Sequence, residues 1–441
     1  MIKTNLQIIE QLRMFLEESS KSGIEYRKNP SDFSRTRKLP FERVVSVLIN
    51  LPKKSLSLEI GELFDHLEEE QSITKSAFSQ ARYKLKHKFF RDWNDELKKV
   101  YYTDNEERVE RWKDFILLGV DGSTLHLFED QDGLIAEHFG KHGGAVTGRV
   151  MCMYDVLNNI SYKNELDSIH VSENEIAKNW LSQLQKDKQY LGDVLCLYDM
   201  KYIGFSFAYE HVNQGLEFVM RVERTFNTLV YDFANSNKMD SIEKWYPSEN
   251  GLAELRQKGY SVNENSFIDV RLIKVELPKG ETEILVSSLL NRRKYPLKTF
   301  GPLYFKRWGS ETNFDKWKNK VQIENFSGHS VEAIYQDFYA TIFTSNIHSL
   351  IIGQCHEEVV KLTDERILDY AINKNVSLGI LKGNIIKLFL CKDPARILKK
   401  LHKMFIVHLE PIRPNRAFPR NKRIIHLNGK YVTMTNYRRC V

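Results

Sequence analysis

Hydrophobic and polar positions along the chain fall into three regimes. Over 1–105 the apolar residues recur at helical spacing: Phe41, Val44, Val45, Val47 and Leu48 make one set, and Leu58, Ile60, Leu63, Phe64 and Leu67 a second. A short helix is predicted next, capped by Thr74 or Ser72. Ala77, Phe78, Ala81 and Leu85 form its apolar stripe, and Ser79, Gln80, Arg82 and Lys84 lie outside the stripe. From about 112 the period changes. A continuous apolar run over 115–120 predicts a strand buried on both faces and ending at Asp121. Residues 149–157 predict a second strand, and 194–198 a third that ends at Asp199. Helical pattern lies between them, from about 173 to 187. Strands alternating with helices indicate an α/β layer. Short alternating runs at 217–222, 266–275 and 283–289 follow, with a Pro278-Lys279-Gly280 turn between the last two, so 205–300 reads as mostly β. After Pro302 the pattern is helical to about 407.

A length of 441 residues suits two to four domains. With 12% aromatic residues the chain can build large cores, which argues against disorder on a large scale. The net charge of +7 favours an anionic partner. Its distribution adds more. From Pro411 onward the chain carries Arg413, Arg416, Arg420, Lys422, Arg423, Lys430, Arg438 and Arg439 and no acid. Such a tail either tracks a phosphate backbone or is a solvated terminus. The five cysteines form no Cys-x-x-Cys pair and read as buried hydrophobes or incidental thiols of a reducing compartment. Cys355 and His356 alone are too few for zinc. The first nine residues hold no signal-like apolar core, and the longest apolar runs are too short to span a bilayer. A soluble, cytoplasmic protein with no membrane partner is expected.

Two strands ending in Asp121 and Asp199 would set two carboxylates side by side at one sheet edge, where α/β folds place their chemistry. Either acid alone reads equally as a turn residue. A third acid sits in 304–318, where Tyr304, Arg307, Glu311 and Lys318 project along one face of an α-helix. A carboxylate with Arg one turn before it and Lys two turns after it suits a polyanion, the cations holding phosphates and the acid a metal. The plain alternative is an exposed helix with favourable charge pairing. The helix beginning near Thr74, preceded by another, resembles a helix-turn-helix reader, or is a packed helix with one solvated face.

The spacing Tyr-x2-Arg-x3-Glu-x6-Lys, met in full by Tyr304, Arg307, Glu311 and Lys318, resembles the YREK signature of the bacterial insertion-sequence transposases of family four. Val120-Asp121-Gly122-Ser123-Thr124 is similar to that family's first-Asp segment. Asp199-Met200-Lys201-Tyr202 is similar to the second, usually Asp-Arg-Gly-Tyr, from which Met200 and Lys201 depart. Ser76-Ala77-Phe78-Ser79-Gln80-Ala81-Arg82, Gln336-Asp337-Phe338-Tyr339-Ala340 and residues 416–423 around Pro419-Arg420 match further segments in order.

The resemblance implies an α/β fold: an RNase H-like catalytic core with a β-rich insertion before the helix of the catalytic glutamate, between helical N- and C-terminal regions. Its parts would be a DNA-binding region over 1–105, the core over 106–204, the insertion over 205–300, the core resumed over 301–348, and a helical region with the basic tail over 349–441. The 112 residues from Asp199 to Glu311, against 78 from Asp121 to Asp199, leave room for such an insertion. The implied activity is metal-dependent DNA cleavage and strand transfer at insertion-sequence ends, with the excision route left open. Asp121, Asp199 and Glu311 would hold two Mg²⁺, or Mn²⁺ in substitution, roughly 3.5–4 Å apart. Arg307 and Lys318 are expected to touch DNA phosphates near the cut, Tyr304 to hydrogen-bond a phosphate or to pack against the strand, and Arg82, Lys84, Arg416 and Arg420 to touch DNA elsewhere along it. The implied partners are double-stranded DNA at terminal inverted repeats, target DNA and a second copy of the chain in a homodimeric synaptic complex, with location at the nucleoid. Trp245 and Tyr246 are candidates to stack a flipped base, and Trp308 is expected in the core. His126, His138 and His142 are expected in ordinary surface or core roles. A nuclease that cuts without joining and an inactive DNA-binding derivative are the competing readings.

Overall fold

The apolar run after Phe115 enters a nine-stranded sheet. The strands are β1 (Ile116–His126), β2 (Lys141–His142), β3 (Ala145–Asp155), β4 (Ile160–Ser168), β5 (Val194–Tyr198), β6 (Glu217–Val222), β7 (Asp240–Trp245), β8 (Ile268–Glu276) and β9 (Thr282–Ser287). The computed structural model describes residues 2–35, 37–70, 73–104, 106–277 and 280–413, so Arg416 and Arg420 and most of the predicted Pro278-Lys279-Gly280 turn lie outside the described residues. The chain divides into two units, one of 98–314 and one of 1–97 with 315–441.

In the first unit the sheet runs β2-β3-β1-β5-β6-β9-β8-β7, with β4 on the other side of β3. β1 is antiparallel to β3 and parallel to β5, and β6 continues parallel to β5. The helix Glu173–Leu191 makes the crossover from β4 to β5, and Phe205–Asn213 the one from β5 to β6. Parallel neighbours require such crossovers, and helices on a sheet face bury its apolar residues. One face of β1 packs Ile116, Leu118 and Val120 with Leu181 and Leu184 of the crossover helix, and the other packs Leu117 with Leu195, Leu197 and Leu303.

Two expectations change here. β1 does not end at Asp121 but continues to His126, because β3 pairs with it along that whole length. The segment 205–300 also carries helices, Phe205–Asn213, Thr228–Asn235 and Glu249–Gln257, and its strands β6 to β9 extend the central sheet. Short strands separated by amphipathic helices had read as strands alone.

The second unit is helical. Its longest helix, Val331–Thr363, is buried without a break over 336–351, as expected of a helix surrounded by others. Trp93 stacks on Phe343 of that helix at 3.8 Å between ring centres, and its indole donates to the Leu12 carbonyl at 2.9 Å. Helices Phe41–Ile49, Leu56–Leu67 and Lys75–Arg82 belong here, with Thr74 capping the last through Ala77; Ser72 lies outside the described residues. A small antiparallel pair, Tyr370–Ile372 with Leu409–Pro411, interrupts the helical run predicted to 407. Among the described residues, no helix is long and apolar enough to cross a membrane.

Arg82 differs from its expectation. It is buried, not outside the stripe, while Ala77 is exposed. Its guanidinium donates to Asp337 at 2.8 Å, to Gln336 at 2.7 Å, to Ser327 at 2.8 Å and to the Ala333 carbonyl at 2.9 Å. A guanidinium so occupied holds the helix Lys75–Arg82 onto Val331–Thr363. The Gln336-Asp337 pair of the matched segment owes its place to this contact.

Candidate active site

Sheet register brings the first two acids together. Val120 of β1 pairs with Tyr198 of β5 in parallel, so Asp121 and Asp199, each one residue further, stand at the same level on adjacent strands. Asp121 accepts from the Gly122 amide at 2.9 Å, and Asp199 from the Met200 amide at 2.8 Å, opening the turn Met200–Tyr202.

The third acid arrives on a helix laid against β1. A single helix through 304–318 was expected; two short helices form instead, Phe300–Phe305 and Trp308–Asp315, with a turn at Lys306 and Arg307 between them and a π-helical turn, Lys316–Lys320, after them. The four signature residues therefore do not share one straight α-helical face. Lys318 falls in the other unit. Trp308–Asp315 lies close to β1 because Gly119 has no side chain: a Cβ there would fall on Ser310 Oγ. Asn313 fixes the helix at its other end, donating to Ser161 Oγ at 3.3 Å. The Tyr304 hydroxyl donates to the Tyr198 carbonyl at 3.1 Å, which ties Phe300–Phe305 to the residue before Asp199. Tyr304 is buried and packs against the strand end, the second of its two expected roles.

Arg307 is the hub. It is buried, donates to Glu311 Oε1 at 3.0 Å and lies 3.9 Å from Asp121 Oδ2. Burial alone would lower its pKa, but Tyr304, Asp199, Glu311 and Asp121 outweigh burial and raise it. All three acids thus act on one guanidinium. Burial pushes the Asp121 carboxyl up to about 6, against the opposing pull of the Gly122 amide and Arg307.

Four further side chains at this site were not singled out in the sequence. Arg221 of β6 forms ion pairs with Asp199 at 2.9 Å and with Glu283 of β9 at 2.8 Å. Glu173, first in its helix, pairs with Arg149 at 2.9 Å, accepts from the Tyr202 hydroxyl at 3.1 Å, and stands so close to Gly122 that a Cβ there would meet its carboxyl carbon. Alternating charges on strands read as a solvated face, so periodicity offered no signal for Arg221, Glu283 or Arg149. For Glu173 the only signal was a helix start.

Other predicted residues separate. Trp245 is buried, edge-on to Phe205 and Phe226, while Tyr246 is half-exposed. Trp308, expected in the core, is 43% exposed beside Arg307. Lys84 lines a cavity of about 590 Å³ in the helical unit together with Arg35, Arg37 and Lys38.

Among the described residues, no group of three or more His, Cys, Asp or Glu is arranged to hold a metal ion. The donor chemistry nevertheless fits a hard divalent cation: the oxygens are all carboxylate, and burial of Asp121 disfavours its charged form unless a cation stands near. Arg221 and Arg307 are the cations now beside the acids. Turning the side chains off these partners is what a shared metal would require.

A sequence model described as the transposase DDE domain matches residues 112–347. No curated protein matches the chain. A solved piggyBac transposase synaptic complex with hairpin DNA, from cryo-electron microscopy, is similar at 9% identity, over 91% of this chain and 81% of that one, with a TM-score of 0.41.

Proposed function

A chain matched over more than half its length belongs to the transposase DDE domain family and is a DNA transposase; from this we propose that Asp121, Asp199 and Glu311 are its three catalytic acids. The observation that carries the assignment is the convergence of all three on Arg307 within one unit.

Strand order supports an RNase H-like core. β3 and β4 lie antiparallel to one side of β1, β5 and β6 lie parallel on the other, and the crossover helices follow β4 and β5. The full Tyr304, Arg307, Glu311, Lys318 spacing supports membership of the family-four insertion-sequence group. Segments 205–300 and 1–105 take the insertion and DNA-binding roles in this reading.

The acids would hold Mg²⁺, with Mn²⁺ in substitution, which supplies activation of the attacking hydroxyl and stabilisation of the leaving oxygen. The chain's own residues do the remaining work. Tyr304 and Gly119 set the depth of the helix carrying Glu311. Arg307 faces Asp121 and Glu311 and offers a donor to the scissile phosphate. Lys318, with Lys84, Arg416 and Arg420, takes backbone phosphates elsewhere along the DNA, and Tyr246 is the better placed of the two candidates for base stacking. Arg82 has no part in this reading. Two ends must be cut together, which calls for a homodimer.

The test is incubation of the purified chain with duplexes carrying the repeats that flank its gene, with and without Mg²⁺. Cleavage at the repeat ends and joining to a second duplex are expected from the wild type. Asp121→Asn, Asp199→Asn and Glu311→Gln should each bind the ends and leave them uncut. Cleavage by any of the three at the wild-type rate would remove that residue from the site, and cleavage without joining would favour the nuclease.

A further inference from the structure

We propose that Arg221, held by Glu283, is a resident counter-cation of Asp199 that keeps this acid from metal until a DNA phosphate offers the guanidinium another anion. The inference rests on the metal-holding role given above to the acids.

Sheet register builds the arrangement. Tyr198 pairs with Met220, so Arg221 stands beside Asp199. Leu285 pairs with Arg221, so Glu283 is the diagonal neighbour on the same face of β9. The guanidinium reaches both, at 2.9 Å to Asp199 Oδ1 and 2.8 Å to Glu283 Oε1. The Asp199 oxygen that bonds Arg221 also accepts the Met200 amide, which fixes that carboxylate edge toward the arginine.

Three features separate this pair from a structural ion pair. First, two carboxylates, Asp199 and Glu283, bear on the one guanidinium of Arg221, so its departure leaves two negative charges for a divalent cation to answer. Second, the guanidiniums of Arg221 and Arg307 both keep a buried Nε–H without a hydrogen-bond partner, so each has donor capacity to spare for an incoming oxyanion. Third, Arg221 and Asp199 are each partly open to solvent, at 29% and 21% exposure, so the arginine can swing without unfolding the strand. Arginine does not surrender its proton at accessible pH, so it must move, and not titrate, for Asp199 to be released. Linkage then makes metal and DNA help each other bind.

The measurement is Mn²⁺ binding to the full chain, read as loss of the free-ion paramagnetic resonance signal. Without DNA, Arg221→Gln should bind Mn²⁺ at least about tenfold more tightly than the wild type, since one competing charge has gone. Arg221→Lys should stay near the wild type, because the charge remains. Glu283→Gln, which leaves Asp199 as the remaining carboxylate partner of the arginine, should bind Mn²⁺ no more tightly than the wild type. A blunt duplex with 3′-hydroxyl ends should tighten Mn²⁺ binding by the wild type and change Arg221→Gln little. A bracing role for Arg221 gives the opposite result, weaker binding in Arg221→Gln than in the wild type, and that outcome overturns the proposal. Asp199→Asn separates the two levels. If it weakens the wild type while Arg221→Gln gains nothing, the counter-cation falls and the metal site stands. If tight binding by Arg221→Gln survives the added Asp199→Asn, the ion lies elsewhere and both fall.

Discussion

Two buried or half-buried arginine–carboxylate networks, one in each unit, differ in how completely they are closed. In the helical unit, every nitrogen of Arg82 has a partner, and Asp337 also accepts from the amide and hydroxyl of Ser327. Both side chains are more than nine-tenths buried. In the sheet unit, Arg221 and Arg307 each leave a nitrogen unpaired, and the acids they touch remain 19–32% exposed. A network that satisfies all its donors specifies packing. One that leaves donors and solvent access unspent keeps capacity for a further hydrogen-bond acceptor. Ion pairs of similar length therefore differ here in completeness, not in distance.

The contrast can be broken most forcefully at the acids. Asp121→Asn should lower DNA cleavage by about 10⁴-fold or more while leaving the melting temperature close to that of the wild type, as measured by single-turnover cleavage and by calorimetry. Arg82→Ala should do the reverse. It strands Asp337 in the interior, so unfolding should become easier by about 3–5 kcal/mol. An Arg82→Met, Asp337→Leu double variant should recover much of that loss, because neither charge is left unpaired. Gly119→Ala sits between the two kinds, forcing a methyl onto Ser310. A stability loss of about 1–3 kcal/mol is expected, with a larger proportional loss of cleavage because the helix bearing Glu311 is displaced.

A smaller effect comes from a third class of buried cation, one with no acid at all. Lys316 is buried, bonded to the Ser345 carbonyl at 3.4 Å, and its pKa is pushed down to about 7 by burial and by Lys374 and Lys320. Its unfolded value is near 10.5, so the unfolded chain holds more protons between those limits. Stability should accordingly rise as pH increases from 7 to 10. The buried His348 is also lowered, by burial and then by Lys316, Lys374 and Lys320, so it adds a loss of stability as pH falls below about 6.5. Melting scans across pH should show the upper slope flattened in Lys316→Met.

The level of Asp199 was legible because it stands where an apolar run ends, and Glu311 was singled out only by its signature spacing. The extent of β1 was not legible, since Ser123, Thr124 and His126 carry no apolar signal and are held by pairing with β3. Arg82 was misread because a charged residue beside an apolar stripe looks solvated until its partner is known, and that partner lies 255 positions away. Arg221 was invisible for the same reason: its meaning is supplied by register across three strands. Trp245 and Tyr246 show the limit at its narrowest, because adjacent aromatics leaving a strand give no hint of which one turns inward.

The extension of the sheet through β6 to β9 bears on how the molecule can be divided. The strands read from the sequence as an insertion supply the guanidinium at Asp199 and the carboxylate that steadies it. Excising 205–300 to obtain a minimal enzyme would leave Asp199 beside a raw sheet edge, stripped of its neighbouring charge. Grafting that segment from a relative would transplant part of the electrostatics along with the scaffold.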